Sequence, residues 1–264
     1  MSGQQFSNDD VAAFWNGNAA LWAAQVRDQR DIAREFHNNP AFLDVVGDLR
    51  DKDVLDAGCG EGYNTRILAR LGARMTGIDL SERMVELARE EERRAPLGIR
   101  YACMSYTDLG RFPDETFDAV VSFMAMMDGA RFDLAMSESF RVLRRGGMLA
   151  FSITHPCFIT KGSSWIRDEH GVKVKWIVSE YFNPARWIEH WRFTDAPADT
   201  PTFASPRFDR TLSEYVNTII GAGFRLSRIE EPRPSEEYCQ AHPSQRGWRD
   251  HAALFLHVRA EKPA

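Results

Sequence analysis

Asp53-Val54-Leu55-Asp56-Ala57-Gly58-Cys59-Gly60-Glu61-Gly62 is the stretch whose reading decides the fold. Its first half is a short apolar run and its second half a glycine-rich turn, the pattern of a buried strand entering a loop. A helix follows with Ile67, Leu68 and Leu71 on one face and Gly72 at its end. RMTGID (74–79) reads as the next strand, and Ser81 caps a helix bearing Met84, Val85, Leu87 and Ala88. IRYACM (99–104), FDAVVSF (117–123) and MLAFSI (148–153) supply three more strands. The helix from about 132 to 143 ends at Gly146-Gly147, before the last of them. Strands alternating with helices predict a doubly wound α/β fold, with a mostly parallel sheet and right-handed crossovers.

Outside this core the pattern changes twice. Residues 1–46 read as a helical cap. Asn8 or Asp9 opens a short segment carrying Val11, Phe14 and Trp15, and a second segment carries Leu21, Trp22, Val26, Ile32 and Phe36. Asn38-Asn39-Pro40 then breaks the helix, and Pro40 starts another that Gly47 ends. Residues 156–210, about 55 in number, exceed an ordinary strand-to-helix connection. They hold Phe158, Trp165, Trp176, Tyr181, Trp187, Trp191 and Phe203, and disordered segments are poor in aromatics. The stretch is therefore expected to be a folded insertion, with KVKWIV (173–178) as a strand. Regularity resumes at Thr211-Leu212-Ser213-Glu214, a capping-box pattern opening a helix, and strands follow at FRLSRI (224–229) and HAALFLHVRA (251–260). The expected organisation is a cap at 1–46, a core at 47–155 and 211–264, and the insertion at 156–210.

Composition narrows the function classes. The chain has 264 residues, with 33 Lys and Arg against 38 Asp and Glu, a net charge of −5. That balance offers no basic field for nucleic-acid phosphates. The four cysteines, Cys59, Cys103, Cys157 and Cys239, form no CxxC pair, so neither a metal site nor a disulfide framework is expected. The polar start MSGQQFSNDD is unlike a signal peptide, and no run approaches the ~18 apolar residues of a membrane span. A soluble cytoplasmic monomer or homodimer, with no membrane or nucleic-acid partner, is the expectation.

The glycine loop follows the first core strand, where open α/β sheets bind nucleotide-like ligands, and Asp79 closes the second strand where an acid accepts hydrogen bonds from ribose. A dinucleotide site wants GxGxxG with pyrophosphate on a helix N-terminus. Here the spacing is GxGxG, and the sixth position is Tyr63. Asp56 would repel pyrophosphate, yet it suits a cofactor presenting an ammonium and a sulfonium. The acid argues for S-adenosylmethionine.

VLDAGCGEG (54–62), GIDLS (77–81), FPDETFDAVVSFMAMMD (112–128) and RVLRRGGMLAFSI (141–153) together resemble the successive motifs of class I S-adenosylmethionine-dependent methyltransferases. The resemblance covers residues 53–154 and implies a seven-stranded, Rossmann-like methyltransferase fold whose last strand runs antiparallel. It implies that Gly58, Gly60 and Gly62 border the methionine part of the cofactor, with Asp56 beneath its amino group. It implies Asp79 at the ribose and Leu80 at the adenine. The family often carries an adenine-binding acid after the third strand; here Ser105 stands there, beside Tyr106, with Asp108 as the spare. Phe123 and Met124 end the fourth strand and are expected to line the cleft.

Catalytic candidates are less constrained. His155, ahead of Pro156 at the end of the fifth strand, either takes a proton from the nucleophile or serves a turn. Asp128 is the second acid–base candidate. The insertion is expected to act as a lid over a small-molecule acceptor, with Trp15, Trp22 and Tyr181 against the substrate. The expected reaction is methyl transfer to an N, O or C atom. The alternatives are a cofactor-holding module without turnover, a protein methyltransferase, and a nucleotide-dependent oxidoreductase on a similar sheet.

Overall fold

The computed structural model describes residues 6–183, 186–193, 196–197 and 199–264. The first five residues of the expected cap, and five positions within the aromatic stretch, lie outside the described residues.

Helix α1 (Asn8–Arg27) is one continuous helix, not two segments, because Gly17 sits in open space on its surface and nothing there forces a break. Its N-cap is Ser7, which forms a capping box with Asp10. A π-helical turn (Arg34–Asn38) runs directly into α2 (Asn39–Val46). Asn38-Asn39-Pro40 therefore does not interrupt the helix, since Pro40 lies in the first turn of α2, where its missing N–H costs nothing.

The core then alternates: β1 (Asp53–Ala57), α3 (Tyr63–Arg70), β2 (Arg74–Asp79), α4 (Glu82–Arg94), β3 (Arg100–Cys103), β4 (Phe117–Phe123), α5 (Phe132–Val142) and β5 (Leu143–Thr154). Strand β5 begins earlier than Met148, pairing Leu143 with Phe117 before a shift in register taken up around Gly146-Gly147. Two hairpins follow, β6 (Ser164–Arg167) with β7 (Lys173–Ile177), and β8 (Arg186–Trp191) with β9 (Phe203–Phe208). The chain closes with α6 (Leu212–Gly221), β10 (Arg225–Glu230), α7 (Glu236–Ala241), α8 (Arg246–Asp250) and β11 (Phe255–Glu261). Helices α7 and α8 show no apolar period in EEYCQAHPSQRGWRD, which is why sequence reading passed over them.

The seven-stranded sheet has the order β10-β11-β5-β4-β1-β2-β3, parallel except along β11, which is antiparallel to both neighbours. Side-chain alternation divides the interior into two layers. Leu55, Val120, Leu149 and Phe151 face α5 and α6, packing with Phe132, Met136, Tyr215 and Ile219. Val54, Ala119, Val121 and Ala150 face the other way, toward Phe42, Leu68, Val85 and Ala88. Burying both faces fixes the register of each central strand and sends every β-to-α loop to one edge.

Helix α1 lies across that edge. Ala19, Ala23 and Trp22 pack on Met84 and Leu87 of α4, while Val26 and Trp22 pack on Trp191, Phe193 and Phe203. Asn18, buried, pairs with the backbone of Ala204 on β9: its Nδ2 donates to the carbonyl at 2.8 Å, and its Oδ1 accepts the N–H at 3.3 Å. Asn18→Leu removes both partners from one strand residue and is expected to cost about 1–3 kcal/mol. Urea unfolding measures this, and a loss below a few tenths would show that the pairing contributes nothing.

Candidate functional site

At the sheet edge where β1 and β2 end, Asp56 and Asp79 enter one cavity of about 460 Å³. Asp56 is fully buried. Its Oδ2 accepts from the Thr65 hydroxyl at 2.6 Å, and its Oδ1 has no hydrogen-bond partner. Burial, with Asp79 nearby adding repulsion, pushes its pKa up to about 7. Asp79 is held by the backbone: Oδ2 accepts the Gly60 N–H and Oδ1 the Ser81 N–H, each at 2.8 Å. Burial raises its pKa despite those bonds. Two carboxyls on one cavity wall, one with an orphaned oxygen, fit a cationic ligand and oppose a pyrophosphate.

The three glycines of the loop do different work. Gly60 has φ +55, and a Cβ there would meet nothing within 4 Å; the backbone itself forms the cavity wall. Gly58 lets its strand end pass against the Ala125 side chain. Gly62 does not line the cavity. It holds the N-cap of α3 at φ +82, and a Cβ there would strike the Tyr101 ring. Its requirement comes from packing, a correction to the expected methionine contact.

Leu80, Ser105, Tyr106, Phe123 and Met124 all line the cavity. Ser105 belongs to a small polar cluster: its hydroxyl is 2.7 Å from that of Thr107, and Asn8 of α1 donates to both at 3.4 and 3.2 Å. Asp108, the spare acid, is exposed and away from the wall. Met124 adopts φ +57, rare for a residue with a Cβ, and is pinned by its N–H donating to the Ser152 carbonyl at 3.0 Å.

The same cavity continues beneath β8 and β9. Trp15, Trp22, Trp191, Phe193, Trp176 and Trp248 contribute aromatic wall. Trp22 sits at its centre, with ring centroids 5.5 Å from Trp15 and 5.9 Å from Trp191. Asp128, in the turn after β4, lines this part, and burial pushes its pKa up to about 7.

Two expected site residues lie elsewhere. His155 does not reach the cavity wall. Its buried ring is used on both sides: Nδ1 accepts the Cys157 N–H at 3.1 Å, and Nε2 donates to Glu231 at 2.6 Å. Those bonds make it a turn histidine, and burial holds its pKa below the usual imidazole value. Tyr181 is also off the wall, its hydroxyl accepting the Leu212 N–H at 3.0 Å at the start of α6.

Arg34, Asn38, Glu189 and Arg207 are among the cavity residues that were not anticipated. Arg34 and Asn38 come from the π-helical turn, a geometry with no sequence signature. Arg34 is buried, stacks 4.4 Å over the Tyr63 ring, and its Nε makes no hydrogen bond, with the Asp31 carboxylate 3.6 Å away and Glu35 3.4 Å from Nη2. Glu189 and Arg207 come from β8 and β9. Their period-two pattern was visible, because Glu189, Trp191, Ser205 and Arg207 all share the inward face. Among the described residues no cluster of His, Cys, Asp or Glu is disposed to hold a metal ion, and no helix is long and apolar enough to cross a membrane.

The sequence matches the methyltransferase-domain family over residues 55–151. A Mesorhizobium loti S-adenosylmethionine-dependent methyltransferase superimposes with a TM-score of 0.70, at 26% identity, covering 84% of this chain and 96% of its own. A Listeria monocytogenes structure, a candidate for the same class, gives 0.69 at 28% identity, covering 85% and 96%. Demethylmenaquinone methyltransferase of Tropheryma whipplei is 33% identical over 138 residues, 50% of this chain and 56% of that relative, so the chain spans about half its length. With the sheet order and the acidic glycine-loop cavity, the methyltransferase-domain match and these neighbours support a class I S-adenosylmethionine-dependent methyltransferase. It is an enzyme, and S-adenosylmethionine is its cofactor.

Gly62→Ala separates the packing requirement from cofactor contact. The substitution is expected to cost about 1–3 kcal/mol, through the left-handed backbone and the clash with Tyr101, and Tyr101→Phe in the same chain should recover part of it. Denaturation reads the loss, while calorimetry on folded protein should give an unchanged affinity for S-adenosylmethionine. A drop in affinity without a drop in stability would return Gly62 to the cofactor site.

Proposed function

We propose that the enzyme methylates a small, flat, largely apolar molecule bound under the β8–β9 hairpin. The observation that carries this reading is the continuity of one cavity, from the two acids at the glycine loop to the indole wall of Trp15, Trp22 and Trp191. A concave cavity with this aromatic wall suits a flat small molecule. The Tropheryma whipplei relative, whose name gives demethylmenaquinone as its substrate, supports the same class of acceptor.

In this reading Asp56 offers its orphaned oxygen to the cofactor's ammonium, and Arg34 faces the cofactor's carboxylate. Gly58 and Gly60 let the backbone approach closely. Asp79 accepts from ribose hydroxyls, and Leu80, Ser105, Tyr106, Phe123 and Met124 bound the adenosine. S-adenosylmethionine supplies a methyl carbon already activated on a sulfonium. The protein's task is to position the acceptor, exclude water and remove a proton. His155 is occupied in its turn, and Asp128 lines the cavity, which supports assigning that proton to Asp128 in this reading. Residues 156–210 act as the lid and 1–46 as the cap of a core formed by 47–155 and 211–264. The test of function is release of S-adenosylhomocysteine across a panel of aromatic small molecules; a panel that stays silent, while a peptide library is methylated, overturns the reading.

Asp56 makes cofactor binding pH-dependent. Its carboxyl titrates near 7 in the free protein, and the ammonium favours the ionised form. Binding below pH 7 must therefore release a proton. Affinity is expected to rise with pH by up to about tenfold per unit and to flatten above 7. Asp56→Asn should weaken binding and abolish that slope. Calorimetry in buffers of different ionisation enthalpy checks both, and a pH-independent wild-type affinity with no proton release would exclude Asp56 from the ammonium site.

A further inference from the structure

The acceptor half of the cavity contains a buried cation that the cofactor site leaves unused. Arg207, on β9, lines the wall and is itself more than nine-tenths buried. Its Nη2 donates to Thr154 Oγ1 at 3.0 Å, at the end of β5, and its Nε lies 3.4 Å from Glu189 of β8. The guanidinium is thus tied to the core sheet on one side and to the hairpin on the other. Asp128 shares the same wall, in the field of Arg207 and Glu189. Asp79 and Arg210 also act on its carboxyl, and Asp128 in turn acts on the phenols of Tyr106 and Tyr215.

Three kinds of nucleophile meet this cluster differently. An amine attacks as the neutral base and gains positive charge as it reacts, beside a guanidinium that opposes that charge. A carboxylate arrives already charged and meets Asp128, Glu189 and Asp79 against Arg207 and Arg210, a field with one more acid than cation. A ring hydroxyl enters neutral, gives its proton to a carboxylate, and develops negative charge where the guanidinium favours it. An aliphatic hydroxyl is too weak an acid for a carboxylate base, whereas a phenol, with a pKa near 10 as in tyrosine, is within reach. The indole and phenyl walls select the flat body that carries such a hydroxyl.

We propose that the acceptor is an aromatic or enolic hydroxyl, deprotonated by Asp128 and held as an oxyanion by Arg207, with Glu189 and Thr154 fixing the guanidinium. This inference rests on the small-molecule methyltransferase reading above and adds the accepting atom to it. The O–H bond breaks and its proton passes to the Asp128 carboxylate. The oxygen's electron pair forms the new O–CH3 bond as the C–S bond breaks, leaving an aryl or enol ether and a neutral thioether. Asp128 then returns its proton to water.

Ionisation of a bound phenol can be followed without turnover. 4-Nitrophenol, added to the protein with S-adenosylhomocysteine, reports its own ionisation by its visible absorbance. The wild-type protein is expected to lower its apparent pKa by about one unit. Arg207→Gln should abolish that shift and Arg207→Lys keep part of it, while S-adenosylhomocysteine affinity, measured by calorimetry, stays within about twofold as the control for folding. In turnover, a phenol is expected to outrun the aniline and benzoate of the same frame by at least about tenfold. Preferred methylation of the amine or the carboxylate overturns the proposal, as does an unshifted nitrophenol in the wild-type protein. An Arg207-dependent shift with no methyl transfer to any small-molecule acceptor supports the oxyanion site and sinks the small-molecule reading instead, so the two failures are distinguishable.

Discussion

Two carboxyls confined at adjoining strand ends set the terms for everything around them. Asp56 and Asp79 sit on neighbouring parallel strands and line the same cavity. Such a pair is tolerated only with donors close by. Thr65 of α3, the Gly60 N–H and the Ser81 N–H supply them, and each donor belongs to the turn or helix that follows a strand. The glycine loop curls back because its own amide must reach Asp79. Helix α4 is capped by Ser81, whose hydroxyl accepts from Met84 and donates to Asn16 of α1. The acids are therefore tied to the cap as well as to the sheet, and a cationic ligand completes the arrangement.

That dependence explains why the cofactor half of the cavity was legible from sequence. Asp56, Gly58, Gly60, Asp79 and Leu80 are placed by short local rules, a strand of five or six residues and the turn after it. Alternating apolar runs were enough to give the strands, their parallel sense and the two layers. Gly62 was misread because the same residue type meets two different demands, and only its contact with Tyr101 tells them apart. Glycine in a motif announces a close approach without saying what approaches.

The acceptor half depends on long-range pairing, and there sequence reading lost ground. Arg207 and Glu189 meet across an antiparallel hairpin whose connection is irregular, and both face Asp128 only because the hairpin crosses the sheet edge. His155 has the position expected of a base, yet its partner Glu231 comes from 76 residues away and turns the ring inward. The π-helical turn brings Arg34 and Asn38 to one wall by adding a residue to a turn, which no propensity foretells. Helices α7 and α8 escaped because their contacts are made through few residues, such as Trp248 against Trp165 and Trp176, with centroids 4.8 Å apart.

The pairing of Asn18 with Ala204 also bears on how the molecule behaves among its own copies. Strands β8 and β9 form a sheet of only two, so β9 has a second edge with unpaired backbone groups. An open edge is a template onto which another extended chain can add. Asn18 answers one residue of that edge with a carboxamide, which offers one donor and one acceptor just as a neighbouring strand would, and then stops. A helix laid against the edge with a single mimic of the peptide group satisfies that one residue without extending the ladder. At Ala204 the edge is therefore occupied by a side chain and not open to another strand.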